Sequence, residues 1–414
     1  MSFKISPKPI EVIRTGVKVG VIGDCFVDVV ASNVDKLPQW GHNSLASAFS
    51  QHTGGSSGNV ASHIGTFLSK LNTIDEFAAS MRDSIIKNAY PSPLYITSVG
   101  TDDFGHFFLE KLQSRKVDTS HTQVFTDHPT GGCIVLSSTN DRSFISCLGT
   151  NDHFSVDYLL QPHILDALSA CEHIHISNFL GLPSLHRRTS SGKDFVDFLV
   201  EIRQRNPSIS ISIDPQHANN GLWLGEDNIL LRVLPEIDIF LPNDIEVMKV
   251  ANASIAAMNT GSELPLTPNT KVVPEKDLCL VDYIVNAEAP TTPQPHHPSN
   301  PSSSPTSPCP PSAPAAASPA RTISLTPTLI TSPQRTQPLT AIQAASARVL
   351  RCMRVGGMVV VTEGADGAVA YVRGEERQDK GVDIVLVHAV KMPAYPVQVC
   401  PHIFVLLTLF FPYH

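Results

Sequence analysis

Long apolar runs, paired cysteines and basic charge are all scarce in this 414-residue chain, and each scarcity excludes a class. No apolar stretch reaches the roughly 20 residues that a membrane-spanning helix needs. The nearest, residues 403–411 (IFVLLTLFF), is too short, so no membrane partner is expected. The opening MSFKISPKPIEVIRTG has no apolar centre, so no secretory signal is expected either. Eight cysteines are scattered without a CxxC pair, which reads as buried or idle thiols in a reducing, cytoplasmic setting. Lys plus Arg total 30 against 38 Asp plus Glu, a formal charge of −8. A weakly acidic surface argues against a nucleic-acid binder, which needs cations to displace phosphate counterions.

What is present suits a large α/β body. Hydrophobic residues make up 42% of the chain, enough for a sizeable core. One composition shift divides it: 14 of the 33 prolines fall between Pro290 and Pro338, a stretch with no Asp or Glu and only two arginines. Such a Pro/Ser/Thr/Ala mixture buries too little apolar surface to offset ordering entropy, so it is read as a disordered insertion. With looser flanks, the expected organisation is a folded part over 15–251, the insertion over 252–339, a continuation over 340–399, and an apolar tail over 400–414. His296 and His297 lie in the insertion and are read as linker residues rather than metal ligands.

The folded parts alternate short apolar runs with amphipathic stretches. Residues 17–22 (VKVGVI), 94–99, 173–177, 209–213, 237–241, 358–362 and 368–372 read as strands, while 59–71 places Val60, Ile64, Phe67, Leu68 and Leu71 on one helical face. Strands separated by helices imply right-handed βαβ units, a mostly parallel sheet, and ligands at the carboxyl ends of its strands.

Four clusters could carry chemistry there. Gly23-Asp24-Cys25-Phe26-Val27-Asp28 puts two acids just past the first strand, where a carboxylate can accept hydrogen bonds from a polyol or simply cap a turn. Thr53-Gly54-Gly55-Ser56-Ser57-Gly58-Asn59 leads into a helix, as a phosphate- or hydroxyl-binding loop does. It is neither a Walker A motif nor a dinucleotide fingerprint, which disfavours an NAD-dependent oxidoreductase. Asn243 and Glu246, three apart at a strand-to-helix corner, share one face and suit either a helix cap or a hydrated divalent cation. The hairpin from Thr362 through Gly364 to Gly367 serves either a turn or a nucleotide resting on its backbone.

In order along the chain, VGVIGDCFVDVV, TGGSSGNVA, SVGTDDFG, GGCIVL, GTND, ISIDPQHANNGLW, DIFLPNDIEV, VVVTEGADGAVAYV and MPAYPVQV resemble the ribokinase-like (PfkB-type) carbohydrate kinases. The resemblance implies a doubly wound, mostly parallel α/β sheet with a small β lid, its strands drawn from about 25–49 and 131–147. It implies ATP-dependent phosphorylation of a hydroxymethyl group on a sugar or nucleoside, with Mg²⁺. Carried over by position, Asp28, Gly54, Gly55, Asn59 and Asn151 would bind the substrate. Asn243, Glu246, Thr362, Gly364 and Gly367 would serve the nucleotide and its Mg²⁺, with Glu246 acting on the metal through water. The DPQHANNGLW phrase leans mildly toward a keto-sugar or sugar acid. Lid strands in this family often pair between subunits, which leaves room for a homodimer.

The resemblance stops short of one motif. After a segment like MPAYPVQV the family continues into a Gly-Ala-Gly-Asp helix start, whose Asp is the base and whose amides cradle the transferred phosphoryl group. Here residues 400–414 read CPHIFVLLTLFFPYH, with no carboxylate near Leu407, where that base would fall. The fold is therefore expected to be incomplete at its C-terminal side. The chain is expected to lack turnover, or, as a second reading, to serve as a non-catalytic sugar-binding or regulatory protein.

Overall fold

The computed structural model describes residues 11–13, 17–80, 85–87, 90–139, 141–259, 279–283, 340–354, 356–362, 368–379 and 382–392. The first buried apolar run forms β2 (Val19–Ile22), after a short β1 (Glu11–Ile13). Two longer strands follow, β3 (Phe26–Ser32) and β4 (Ala48–Gly54), and the glycine-rich loop then enters α1 (Ser56–Ser80). Strand β5 (Ile85–Lys87) pairs with β1 in a two-stranded sheet of its own among the described residues.

The run read as one strand over 94–99 is two, β6 (Leu94–Ile96) and β7 (Ser98–Gly100). The break falls at buried Thr97, whose hydroxyl donates to the Gly23 carbonyl at 2.8 Å. β6 stays beside β2, while β7 leaves to pair with β8 (Gln123–Phe125). Between them α2 (Asp103–Ser114) starts on Asp102, whose carboxylate accepts from Gly105 N and from Thr130.

The lid strands β9 (Gly132–Ser137) and β10 (Arg142–Cys147) come next, then α3 (Val156–Leu159) and α4 (Pro162–Ser169). The body resumes with β11 (His173–Ile176), α5 (Phe195–Arg205), β12 (Ser210–Ile213), α6 (Ile229–Val233), β13 (Ile239–Phe240) and α7 (Asp244–Asn259). Last come β14 (Cys279–Tyr283), α8 (Ala341–Cys352), β15 (Met358–Thr362), β16 (Ala368–Asp379) and β17 (Val382–Met392).

Among the described residues, nine strands form the central sheet in the order β14-β17-β16-β15-β13-β12-β11-β2-β6. The run from β15 through β13, β12, β11 and β2 to β6 is parallel throughout; β16 and β17 add an antiparallel hairpin. Strand periodicity splits the core between the two faces. Val19 and Val21 pack with α1 and α2 through Val60, Ile64, Leu68, Phe108 and Leu112, whereas Ile22, Ile174, Ile211 and Ile213 pack toward α4 through α8. β15 does the same, with Val360 on the first face and Val359 and Val361 on the second. Helices thus cover both faces, the doubly wound arrangement in which strands are buried on each side.

A separate four-stranded sheet, β10-β9-β3-β4, forms the small lid. β3 and β9 run parallel at its centre, with antiparallel partners outside. Two elements fall inside the span 252–339 expected to be an insertion. Helix α7 runs on to Asn259, and Cys279–Tyr283 is a strand parallel to β17. Residues 260–278 and 284–339, including all 14 clustered prolines, lie outside the described residues, as do Gly364, Gly367 and 393–414. Among the described residues, no helix is long and apolar enough to cross a membrane.

Candidate active site

Strand order reverses at β2. The chain goes outward to β6 on one side and returns to β11 on the other, the switch point at which parallel sheets open a crevice. The residues just past the carboxyl ends of β2, β11 and β12 are Asp24, Ser177 with Asn178, and Asp214. They meet around the start of α1. The Asp24 carboxylate accepts the backbone N–H of Ser56 at 3.1 Å and of Ser57 at 3.0 Å. It also accepts the Ser57 hydroxyl at 2.8 Å and Asn178 Nδ2 at 3.0 Å. The first N–H groups of α1 are therefore taken by a carboxylate of the same chain. The glycine-rich loop is in this way a capped helix start rather than an open phosphate cradle, because one buried anion already occupies its dipole end.

Gly55 makes the approach workable. Its φ is +80°, and an added β-carbon would lie 3.0 Å from the Asp24 carbonyl oxygen. Burial pushes the Asp24 carboxyl above the usual aspartate range, and the hydrogen bonds from Ser57, Asn178 and Ser56 pull it part of the way back.

On the other side of Ser56, the Ser56 hydroxyl donates to the Asp214 carboxylate at 3.3 Å and accepts from Ser177 Oγ at 2.7 Å. Gln216 places its amide 2.8 Å from the same Asp214 oxygen, and its own N–H 3.1 Å from the other. Both amide residues have left-handed backbone, Asn178 at φ 57° and Gln216 at φ 54°, each directly after a parallel strand. Non-glycine residues in that region cost free energy and cluster at functional sites. Asp24, Asn178, Asp214 and Gln216 thus form a continuous polar floor.

Asp28 faces the same crevice from β3. Its carboxylate lies against Gly54, and burial followed by the charge of Asp24 lifts its pKa, with His52 partly offsetting this. His52 stands opposite it on β4, and Cys133 opposite on β9. Asn59 sits in the first turn of α1, one helical turn past Gly55, whose carbonyl accepts its N–H at 3.1 Å. Asn151 is fully buried and spent on backbone: Nδ2 donates to the Cys25 carbonyl at 2.7 Å, and Oδ1 accepts the Cys25 N–H at 2.9 Å. It braces the Asp24–Asp28 turn, and its amide is turned toward Cys25.

One strand further along, Leu241 N donates to the Ile213 carbonyl at 2.9 Å, bringing the Pro242-Asn243 corner beside Asp214. Asn243 and Glu246 form a reciprocal cap on α7. Glu246 Oε2 accepts Asn243 N at 2.9 Å, Oε1 accepts Nδ2 at 2.8 Å, and Asn243 Oδ1 accepts Glu246 N at 2.8 Å. Thr362, at the end of β15, bridges to Asn243, its N–H 3.2 Å from the Pro242 carbonyl. Asn243, Glu246 and Thr362 are therefore brought together on the same edge of the sheet as Asp24 and Asp214. Among the described residues, no cluster of three or more His, Cys, Asp or Glu side chains is arranged to hold a metal directly.

The model of the pfkB family carbohydrate kinases matches residues 18–273, more than half of the chain, including Asp24, Asp28, Asn178, Asp214 and Gln216. The chain belongs to that family. A pfkB-family body also accounts for the solved structures it resembles. The ribokinase of Arabidopsis thaliana, solved with ribose and ATP, is 14% identical, with a TM-score of 0.53 over 93% of this chain and 80% of that one. The PfkB protein of Polaromonas sp. JS666 is 15% identical, with a TM-score of 0.51 over 96% of this chain and 90% of that one. At such identities the likeness is one of fold. None of the curated proteins matches the chain.

The sequence pattern alone does not single out Ser177, Asn178, Asp214 or Gln216. The available signal is positional: each lies directly after a buried parallel strand or opens a helix, which is where the sheet's crevice must be.

Proposed function

We propose that the crevice holds a sugar hydroxymethyl compound, and that ATP and Mg²⁺ serve the adjoining Asn243–Glu246–Thr362 corner. The observation that carries this reading is the convergence of Asp28, Asp24, Asn178, Asp214 and Gln216 at one switch point, one strand away from that corner. Carboxylates accept from vicinal hydroxyls and carboxamides both donate and accept, the mixed set a polyol requires. Glu246 is a fit for Mg²⁺ held through water: it is only 4% exposed, and Asn243 fixes the orientation of its carboxylate at the carboxyl edge of the sheet. Mg²⁺ would neutralise charge on the transferring phosphate.

In this reading Asp28 and the floor residues fix the sugar, while Asn59 and Gly55 border it at the α1 start. Gly364 and Gly367 belong to the nucleotide side. Residues 400–414 carry no acidic side chain, so the position near Leu407 where the family's base would fall cannot take a proton from the acceptor hydroxyl. The 414-residue chain accordingly binds its sugar without turning it over, and its role is that of a sugar-responsive binding protein. The proline-rich segment lies in the sequence between β14 and α8. Apolar side chains exposed on the lid, Phe49, Ile134 and Ile145, suit pairing of two copies. The free thiols of the described cysteines suit the cytoplasm.

The test is calorimetric titration of the purified chain with a panel of sugars, paired with an ATP/Mg²⁺ phosphorylation assay. Sugar binding without product is the expected result. Robust product formation overturns the non-catalytic part, and absence of any sugar binding overturns the whole reading.

A further inference from the structure

The chain's only pair of adjacent arginines is followed by three hydroxyl residues, in Arg187-Arg188-Thr189-Ser190-Ser191-Gly192-Lys193. This segment lies in the loop between β11 and α5, and the fold treats the three hydroxyls differently. Thr189 is buried; its Oγ1 accepts the Lys193 N–H at 3.0 Å and pairs with Ser191 Oγ at 2.9 Å. Gly192 N donates to the Thr189 carbonyl at 2.9 Å, closing a tight turn whose two central residues are Ser190 and Ser191. Ser190 is exposed at the tip, and its hydroxyl makes no hydrogen bond among the described residues. The side chains of Arg187 and Arg188 are 58% and 61% exposed, held only by single ion pairs of 3.3 Å to Glu226 and Asp194. Pairs this exposed restrain a side chain weakly. The loop is anchored on each side of its tip. His186 Nε2 meets the Phe179 carbonyl at 2.8 Å, and Asp194 caps α5, whereas a β-carbon on Gly192 would meet nothing within 4 Å. The tip can therefore straighten while both anchors stay in place.

An enzyme that modifies this loop finds one accessible hydroxyl with two guanidiniums fixed two and three residues before it. We propose that Ser190 is a phosphorylation site for a protein kinase whose substrate groove carries carboxylates for those two arginines. Two independent features select the same residue: exposure separates Ser190 from Thr189, and its unpaired hydroxyl separates it from Ser191. A guanidinium presents a planar fork to a carboxylate, so Arg187 and Arg188 give the kinase both charge and geometry to read. In the transfer, Ser190 Oγ forms a bond to the γ-phosphorus of ATP held by that kinase. The bond from that phosphorus to the bridging oxygen breaks, ADP leaves, and the hydroxyl proton passes to the kinase's catalytic carboxylate. The product carries about −1.5 to −2 charge and three acceptor oxygens beside Arg188. It competes with Asp194 for that guanidinium, while Arg232 remains paired with Asp194 and α5 keeps its cap. The proposal does not depend on what the crevice binds.

The experiment incubates the full chain with Mg²⁺, ATP and the catalytic subunit of the cyclic-AMP-dependent protein kinase, which selects arginines at these two positions. Mass spectrometry locates the phosphate, and a reaction without the kinase sets the baseline. Kinase-dependent phosphate on Ser190 is expected. Ser190→Ala should remove it from the loop, and Ser191→Ala should leave it in place. Replacing both arginines, Arg187→Lys with Arg188→Lys, should lower the initial rate about tenfold or more, because an ammonium keeps the charge but loses the bidentate contact. All of these side chains are exposed, and the lysines retain the charge facing Glu226 and Asp194, so the fold is not at risk. An unmodified Ser190 in the native chain overturns the proposal, as does phosphate confined to Thr189, to Ser191 or to residues outside the loop. An undiminished rate in the double lysine variant overturns it too, since the arginines would then not be what the kinase reads.

Discussion

The carboxylate of Asp28 lies directly over the α-carbon of Gly54. A β-carbon on Gly54 would sit 2.3 Å from Oδ1 and 2.4 Å from Cγ, closer than any real contact. β3 and β4 are paired there, so the carboxylate can reach the crevice only because the facing strand ends in a residue with no side chain.

Gly54→Ala should therefore behave as a binding mutant more than a stability mutant. The methyl group displaces the Asp28 carboxylate, and sugar affinity should fall about tenfold or more, as when a hydrogen-bonding set is left unpaired. Calorimetry beside a thermal melt checks this. A large drop in melting temperature with affinity retained would contradict it.

Acidification should separate binding from stability. The Asp28 pKa is raised by burial and by Asp24, so sugar affinity is complete above that raised value and falls as pH drops through it, earlier than for an ordinary aspartate. The stability term has the opposite sign. A carboxyl with a raised folded pKa binds its proton more tightly in the fold, so its contribution grows as pH falls from the folded pKa toward the unfolded value. Titrations between pH 7 and 4 with Asp28→Asn as the reference should show the affinity loss only in the wild type.

Glu246→Gln keeps a side chain able to cap α7 and should leave the fold intact, while removing the Mg²⁺ dependence of nucleotide binding. Glu246→Ala loses the cap as well, at about 1 kcal/mol. Nucleotide affinity measured with Mg²⁺ and with a chelator discriminates the two, and a Gln variant that retains full Mg²⁺ dependence would exclude Glu246 from the metal.

Asp194 is a purely structural counterpart. It caps α5 through the N–H groups of Val196 and Asp197 and pairs with Arg232 and with Arg188, while itself 2% exposed. Burial alone would raise its pKa, but Arg232 and the cap hydrogen bonds hold it below the usual value. Its stabilisation is present above the unfolded pKa and is lost as pH falls through the folded one. Asp194→Ala should cost about 2–4 kcal/mol in urea unfolding without altering sugar affinity relative to the folded fraction.

The fold was largely legible because the apolar runs of a parallel sheet announce themselves; VKVGVI, HIHIS and MVVVT all became strands of the central sheet. The break at Thr97 was not legible, since one hydroxyl aimed at the Gly23 carbonyl divides a run whose composition is uniform. The acids of GDCFVD were visible, and the family resemblance alone set one of them, Asp28, apart from the other. Asp24 turned out to cap α1, while Asp28 faces the crevice, and which acid does which depends on helix placement and not on spacing. Asn178 and Gln216 stayed hidden because their left-handed backbone leaves no mark in side-chain type.

Order of synthesis gives the crevice a history. Every residue of its floor, from Asp24 to Gln216, leaves the ribosome before the proline-rich stretch is translated, whereas Thr362 arrives only after it. The floor draws only on β2, β11, β12 and the start of α1. The Asn243–Thr362 corner must wait until β15 finds β13 across the whole intervening segment, a search whose entropic cost rises only logarithmically with length. A nascent chain thus carries the whole polar floor of the crevice before it carries the residues that complete the Asn243–Thr362 corner.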